Sequence, residues 1–542
     1  MKLLRVHILS ADTCGGLLDG FEVQFRSPTD VSTDFDTLCF VGPNGTGKSQ
    51  LMQVIAEMLQ SAIYACSPGE ERSETNPNLT FDLEYLITPE ESLLPTHVKI
   101  SRKTGSHPKG KLSIQIKDGE RWKDCALEAI ETRALLPKKI VGYTSGDNET
   151  LSLPFLISRS GYADAVSQMA FDDAENSRPV TDTRLMLIDY GTHLEVLVAN
   201  LLLGSPDERN AILEDALVRD LHSFRCIVQL AHPAAPKVST KQTAITGRKG
   251  VQLTRELERY IDQLRRCATC HSYDEKSEVY IFDYFVDQAT RKGFVTFWKS
   301  AIELYASFHK LAMLNDLAIA RSARLKFRKD AKIRRFASRL PEPQDEDKVF
   351  RFERLAFVPQ RGSHEVDYVS LSDGEHQLAQ LLGTFCMLSA PNILFLLDEP
   401  ESHFNPLWRV KFLSRLRELP TDDGRRSDNT PAARQECVMT THAPFVPSDM
   451  ARDKVFIFSK NNGKVSARHP DIETYGTTFD SILEECFDVH PPISELPKEE
   501  IAKLMKSTSI KRIRSGIERL GSSVEKAFLT DRLRQLQKKG SR

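Results

Sequence analysis

The segment DTLCFVGPNGTGKSQLMQVIAEML, Asp36 to Leu59, limits what this chain can fold into more than any other stretch. A buried apolar run leads into GPNGTGKS, which satisfies the spacing G-x-x-x-x-G-K-S/T, and an amphipathic stretch follows. Strand, glycine loop and helix in that order turn successive backbone N–H groups toward one point, where phosphate oxygens are the natural occupants. Gly42, Pro43, Asn44, Gly45, Thr46, Gly47, Lys48, Ser49 and Gln50 are the candidate residues of this loop. Lys48 is expected to reach the β and γ oxygens of a nucleotide such as ATP, and Ser49 to ligate Mg²⁺.

Size and charge set the frame around the loop. At 542 residues the chain exceeds one ordinary core, so roughly two to four structural units are expected. The formal net charge of -2 excludes a strongly basic protein as a whole, and contact with nucleic acid has to be argued by region. No apolar run reaches the roughly 18 residues of a membrane span, and MKLLRVHILSADT lacks the pattern of a signal peptide, so the expectation is a cytoplasmic protein without a membrane partner. Ten scattered cysteines suit a reducing compartment, and no structural disulfide is expected. The run CATCH, Cys267 to His271, fits the spacing of haem attachment, which would require export. It reads as a chance cluster ending a charged helix, with zinc as the alternative if a distant His or Cys completes the set.

Along the chain, MKLLRVHI and FEVQF read as strands around a glycine turn, and LTFDLEYLI, THVKISRK and KLSIQIKD as an antiparallel meander. Between residues 151 and 345 the pattern turns helical, notably in VTDTRLMLIDYGTHLEVLVANLLLG and VQLTRELERYIDQLRR. PKVSTKQTAITGRKG reads as a loop, PEPQDEDK as a boundary, and TDDGRRSDNTPAARQ as a mobile loop. The expected organisation is an α/β N-terminal lobe (1–150), a helical insertion (151–345), a C-terminal lobe (346–470) and a basic helical tail (471–542).

Three further motifs bear chemistry. ILFLLDEPE is a buried strand ending in two acids: Asp398 suits the magnesium shell and Glu399 the activation of a water for in-line attack. VMTTHAPF is a second such strand, ending at His442, which is placed to sense a γ-phosphate or simply to be a satisfied structural histidine. LSDGEHQL offers Ser372, Gly374 and Glu375 at the opening of an apolar helix, whose free N–H groups and dipole favour an anion.

Phosphate loop, Ser-x-Gly-Glu, Asp-Glu-Pro and Thr-His, in that order, resemble the ABC-type ATPases, specifically the soluble group of SMC, Rad50, RecF and OLD-like proteins. Asp373 stands where the family signature usually has a glycine, and ESHFNP, Glu401 to Pro406, resembles the D-loop. The resemblance implies an ABC-type head with a mixed central sheet and an antiparallel β subdomain. It also implies ATP and Mg²⁺ as cofactors and a homo-oligomer of paired heads, in which Ser372 and Gly374 meet the γ-phosphate held by another subunit. Glu399 and His442 are the implied catalytic residues. The family's Q-loop glutamine has no clear counterpart: Tyr143 to Gly146 reads equally as a nucleotide-sensing or an ordinary turn, and Gln168 lies farther on. The insertion is too short for a Rad50 or condensin arm, and no Toprim-type acidic pattern follows the last strand, so any nuclease is expected on another polypeptide.

YTSGDNET, ETYGTTFDSILEECF and LGSSVEKAF resemble most closely the PtuA-type ATPases of Septu and retron-associated anti-phage systems. That narrower resemblance implies an HNH nuclease partner (PtuB-like) and, in retron forms, a reverse transcriptase with its RNA/DNA product. A RecF-like repair clamp and a scaffold that binds ATP without turnover are the alternatives. The basic runs Arg321 to Arg339 and Lys511 to Lys539 suit phosphate backbones of DNA or RNA, and equally suit solvated helix faces or an acidic protein partner.

Overall fold

The computed structural model describes the chain except residues 30–33, 91, 93, 104–110, 146–148, 170–178, 190–191, 232–249, 333–342, 363, 422, 429 and 541–542. Almost all of PKVSTKQTAITGRKG, the start of PEPQDEDK and the distal half of the first basic run lie outside the described residues.

A seven-stranded sheet organises the fold. Its order is Lys464–Arg468, Val455–Asn461, Asp36–Val41, Glu436–Thr440, Ile393–Asp398, Lys139–Thr144, Leu185–Ile188. All neighbouring pairs are parallel except the edge hairpin of Lys464–Arg468 with Val455–Asn461. Alternate residues of the inner strands enter two different cores. Leu38, Phe40, Leu394, Leu396 and Val438 face one, together with the helix Lys48–Cys66. Cys39, Val41, Phe395, Leu397, Cys437 and Met439 face the other, with the helix Asp373–Met387. Burial on both faces is why these strands are continuous apolar runs rather than alternating ones.

A six-stranded antiparallel sheet covers the first core, in the order Glu22–Gln24, Lys2–Ser10, Thr80–Ile87, Thr96–Lys103, Lys111–Asp118, Arg121–Asp124. It contains the expected meander. A five-stranded antiparallel sheet flanks the second core, in the order Cys270–Asp274, Val279–Phe285, Val218–Gln229, Phe350–Pro359, Val366–Asp367. The middle of the chain is therefore not helical throughout. LMLI, expected within a helix, is the strand Leu185–Ile188 on the edge of the central sheet, and the helix starts only at His193. Four consecutive apolar residues carry no period of their own, and pairing with Lys139–Thr144 decides their conformation.

TDDGRRSDNTPAARQ, expected to be mobile, contains a packed segment. Arg426 is fully buried, donates to Gln435 Oε1 and to the carbonyl of Phe385 (2.6 Å), and lies over the rings of Phe35 and Phe385. A planar guanidinium that satisfies carbonyls and stacks on aromatics can be buried without a carboxylate partner. The last three helices, Glu495–Lys506, Ile510–Arg519 and Val524–Gly540, close on a small apolar core of their own around Ile501, Leu504, Ile513 and Leu529.

Candidate functional site

Register places the motif residues on one edge. Phe40, Thr440, Asp398 and Thr144 are level across four parallel strands, so the loop after Val41, the Glu399 turn and His442 all leave the carboxyl end of the sheet together. Open parallel sheets bind ligands at that end.

In the phosphate loop Gly42 has φ +124°, and a Cβ there would lie 2.3 Å from the carbonyl oxygen of Phe458, so only glycine fits. Gly45 and Gly47 also have positive φ, curling the loop around the start of the helix Lys48–Cys66. That helix has no side-chain cap, which leaves its first N–H groups for a ligand. Pro43, Asn44 and Gly45 form the exposed lip, Thr46 donates to the carbonyl of Pro43 (2.8 Å), and Gln50 is half-buried one turn into the helix. Lys48 Nζ donates to the carbonyls of Gly42 (2.8 Å) and Pro43 (3.0 Å) inside its own loop. Burial lowers its pKa, opposed by Glu399 and Asp398.

Asp398 is 3% exposed and receives two hydroxyls on one oxygen: Ser49 Oγ donates to Oδ1 at 2.9 Å and Thr440 Oγ1 at 2.5 Å. Burial raises its pKa, and the two hydroxyls hold it down. A hydroxyl and a carboxylate converging beside a phosphate loop form the hard oxygen donor set that Mg²⁺ takes, completed by waters and substrate phosphates. Ser49 and Asp398 would hold the ion, which would neutralise charge on the phosphates.

The next residue, Glu399, has φ +49°, an uncommon conformation for a side chain of this kind, and its N–H donates to Thr440 Oγ1 (3.0 Å). Strain of this sort is found where a site over-determines its backbone. The turn carries the Glu399 carboxylate to within 3.4 Å of His442 Nε2, with both side chains partly open to solvent at 45% and 36%. Burial, then Lys48, lower the pKa of His442, opposed by Asp398.

The Ser-x-Gly-Glu turn is built differently. Ser372 caps the helix Asp373–Met387 in a reciprocal capping box: Glu375 N–H reaches Ser372 Oγ (3.4 Å), and Ser372 N–H and Oγ both donate to Glu375 Oε2 (2.7 Å each). Ser372 is exposed and Gly374 buried. A Cβ on Gly374 would lie 2.8 Å from the carbonyl oxygen of His403, so the turn sits on the residues after the Asp-Glu strand. Among the described residues no hydrogen bond joins Ser372, Gly374 or Glu375 to residues 42–50 of the same chain.

Other residues inside the same motifs join the site without having been given a role by them. Thr440 bridges Asp398 and Glu399, and Thr441 donates to the buried Glu401. Gln377 receives His403 N–H (3.2 Å), reaches Ser402 Oγ (3.4 Å) and hydrogen-bonds Tyr143. The only signal for them was a pair of hydroxyls, TT, inside an otherwise apolar strand and a second acid after DEP. Tyr143 is buried at the end of its strand, which removes it as a solvent-facing sensor; Gly146 and the side chain of Gln168 lie outside the described residues. Cys267 ends the helix Arg255–Cys267, while Cys270 and His271 begin an exposed edge strand. Among the described residues no group of three or more His, Cys, Asp or Glu side chains is arranged to hold a metal, and no helix is long and apolar enough to cross a membrane.

Residues 278–449 match the family model described as "AAA domain, putative AbiEii toxin, Type IV TA system". That span takes in the Ser-x-Gly-Glu, Asp-Glu and Thr-His motifs and leaves out the phosphate loop. No curated protein matches the chain. Among solved structures it is similar to an SMC head domain from Thermotoga maritima, at 12% identity and a TM-score of 0.34, covering 87% of this chain and 100% of that one.

Proposed function

We propose that the chain binds and hydrolyses ATP and that two copies close over two nucleotides, so that the cycle works as a switch. The observation that carries this reading is the convergence of Ser49, Asp398, Thr440, Glu399 and His442 beside a glycine loop on one sheet edge. Glu399 is placed to take a proton from a water attacking the γ-phosphate, and His442 to donate a hydrogen bond to that phosphate. Lys48 would exchange its loop carbonyls for phosphate oxygens, a gain for an ammonium held in a partly buried place. Pairing is supported by the exposed Ser372 turn, which has the form of a second phosphate contact but is joined to the other half of its own head by no hydrogen bond among the described residues.

In the finer reading the chain is the sensor and regulatory subunit of a bacterial anti-phage complex. It would control a separate HNH-type nuclease through ATP-dependent engagement, with a reverse transcriptase and its RNA/DNA product in a retron setting. The sequence resemblance of YTSGDNET and ETYGTTFDSILEECF supports it, and a matched family described by a toxin–antitoxin system is compatible with a regulatory ATPase. A second reading, a RecF-like clamp on nucleic acid, is favoured by one observation. Residues 503–542 hold 12 Lys and Arg against 3 Asp and Glu, a net +9 in a chain of net -2.

Two measurements separate these readings. Hydrolysis by the purified chain, with and without duplex DNA, distinguishes a working ATPase from a scaffold, for which turnover would be absent while ATP binds. Native co-purification with and without ATP then identifies retained proteins and nucleic acids. A nuclease supports the defence reading, and DNA with no nuclease supports the clamp.

A further inference from the structure

Glu401 has no role in the chemistry described so far, yet it is one of the most enclosed acids in the chain, at 2% exposure, three residues beyond Asp398. Its Oε1 accepts a hydrogen bond from Thr441 Oγ1, and Oε2 is buried with no hydrogen-bond partner among the described residues. The groups facing it come from every neighbouring element: Glu399 on its own turn, Arg409 on the helix Pro406–Glu418, Cys39 on the phosphate-loop strand and Tyr143 on the strand Lys139–Thr144. Among these described groups only Arg409 is a cation, and its guanidinium donates to the carbonyl of Ser402 (2.8 Å). A carboxyl placed so poorly for its own ionisation makes little sense as a stabilising ion pair.

Its connections explain it better. Thr441 is fully buried; its N–H donates to the carbonyl of Phe40 (3.2 Å), just before the phosphate loop, and its Oγ1 receives Ala443 N–H (2.9 Å). His442 lies between those two residues. On the acid side, Ser402 N–H donates to the carbonyl of Glu399 (3.1 Å) and Phe404 N–H to that of Glu401 (3.0 Å), so residues 399–404 form one hydrogen-bonded turn. The Glu401–Thr441 bond is thus a strut between the turn that carries Glu399 and the segment that carries His442.

We propose that Glu401 is a positioning residue for hydrolysis: as a hydrogen-bond acceptor for Thr441 it sets the 3.4 Å approach of His442 to Glu399. This rests on the ATPase reading above. Displacing a reacting group by a fraction of an ångström costs rate more than affinity. The loss therefore falls on kcat.

The test measures kcat, KM and the Kd of a non-hydrolysable ATP analogue for the full chain and its variants. Glu401→Ala and Thr441→Val should each lower kcat at least about tenfold, with Kd within about twofold. Combining them should cost little more than either alone, because both remove one bond. Glu401→Gln retains an acceptor oxygen and should recover most of the rate, a rescue that a general packing defect would not show. Normal kcat in Glu401→Ala, full additivity in the double variant, or equal loss in Glu401→Gln would overturn the proposal. Lys48→Ala is the separate control: if it turns over ATP normally, the ATPase reading itself falls, whereas an inactive Lys48→Ala beside a normal Glu401→Ala removes only the role of Glu401.

Discussion

The carboxyl edge of the central sheet and the Ser372 turn are both phosphate-directed by sequence, but the fold treats them in opposite ways. At the sheet edge, the start of a helix, the ends of two strands and the turn after one of them, up to 349 positions apart, are bonded to one another through Asp398 and Thr440. At the Ser372 turn the capping-box hydrogen bonds are local, within three residues, and the serine is exposed. On the proposed reading, one half of a nucleotide site is assembled within a chain and the other is presented outward. The difference then means that each copy completes the site of the other, with the capping acid Glu375 releasing Ser372 to a phosphate. Asp373 and Glu375 also put negative charge at the helix start, so in the proposed engagement nucleotide and metal charge would have to offset it.

The comparison can be broken first at the sheet edge. Glu399→Gln should lower kcat by about 10²- to 10³-fold while ATP binding persists, since only the proton acceptor is lost. Steady-state hydrolysis beside analogue binding checks this, and near-normal turnover would remove Glu399 from its role. On the other side, Ser372→Arg should cut hydrolysis at least about tenfold yet leave the Kd of the isolated chain within about twofold. Equal loss of both would mean the turn belongs to its own head. Farther out, replacing Lys511, Arg512 and Arg514 with Gln should lower the slope of log affinity against log salt for duplex DNA by up to about 2 to 3 and leave basal hydrolysis unchanged. An unchanged slope would assign the tail to another partner.

The smallest effect concerns the footing of the signature helix. Glu195, in the first turn of the helix His193–Leu203 that packs on it through Val196 and Asn200, is buried, and burial lifts its pKa from 4.5 to about 7. The folded state therefore binds its proton more tightly than the unfolded state. Stability from this group is intact below about pH 4.5 and is lost as pH rises through 7. Glu195→Gln should raise Tm by about 2–4 °C at pH 8, little at pH 4.5, with kcat unaffected. A shift of equal size at both values would contradict the assignment.

What was legible in the sequence followed what chemistry forces. GPNGTGKS admits few alternatives because Gly42 has no room for a side chain and Lys48 must reach back over its own loop. The apolar runs before Asp398 and His442 read as buried strands for the same reason that they are buried, being covered on both faces. LMLI was misread because strand and helix cores look alike over four residues, and Arg426 because a charged residue between glycine and serine reads as solvent-facing until aromatic rings and free carbonyls surround it. Glu401, Thr441 and Gln377 stand inside the quoted motifs, but their roles depend on contacts across tens of residues, which no local pattern encodes.

The most direct measurement mixes two inactive chains, one carrying Lys48→Ala and the other Ser372→Arg, and follows ATP hydrolysis against the mixing ratio. A mixed pair has one intact site, formed by the phosphate loop of one chain and the Ser372 turn of the other, so the rate should rise well above that of either chain and peak near equal proportions. A rate equal to the weighted sum at every ratio would contradict a nucleotide shared between two copies.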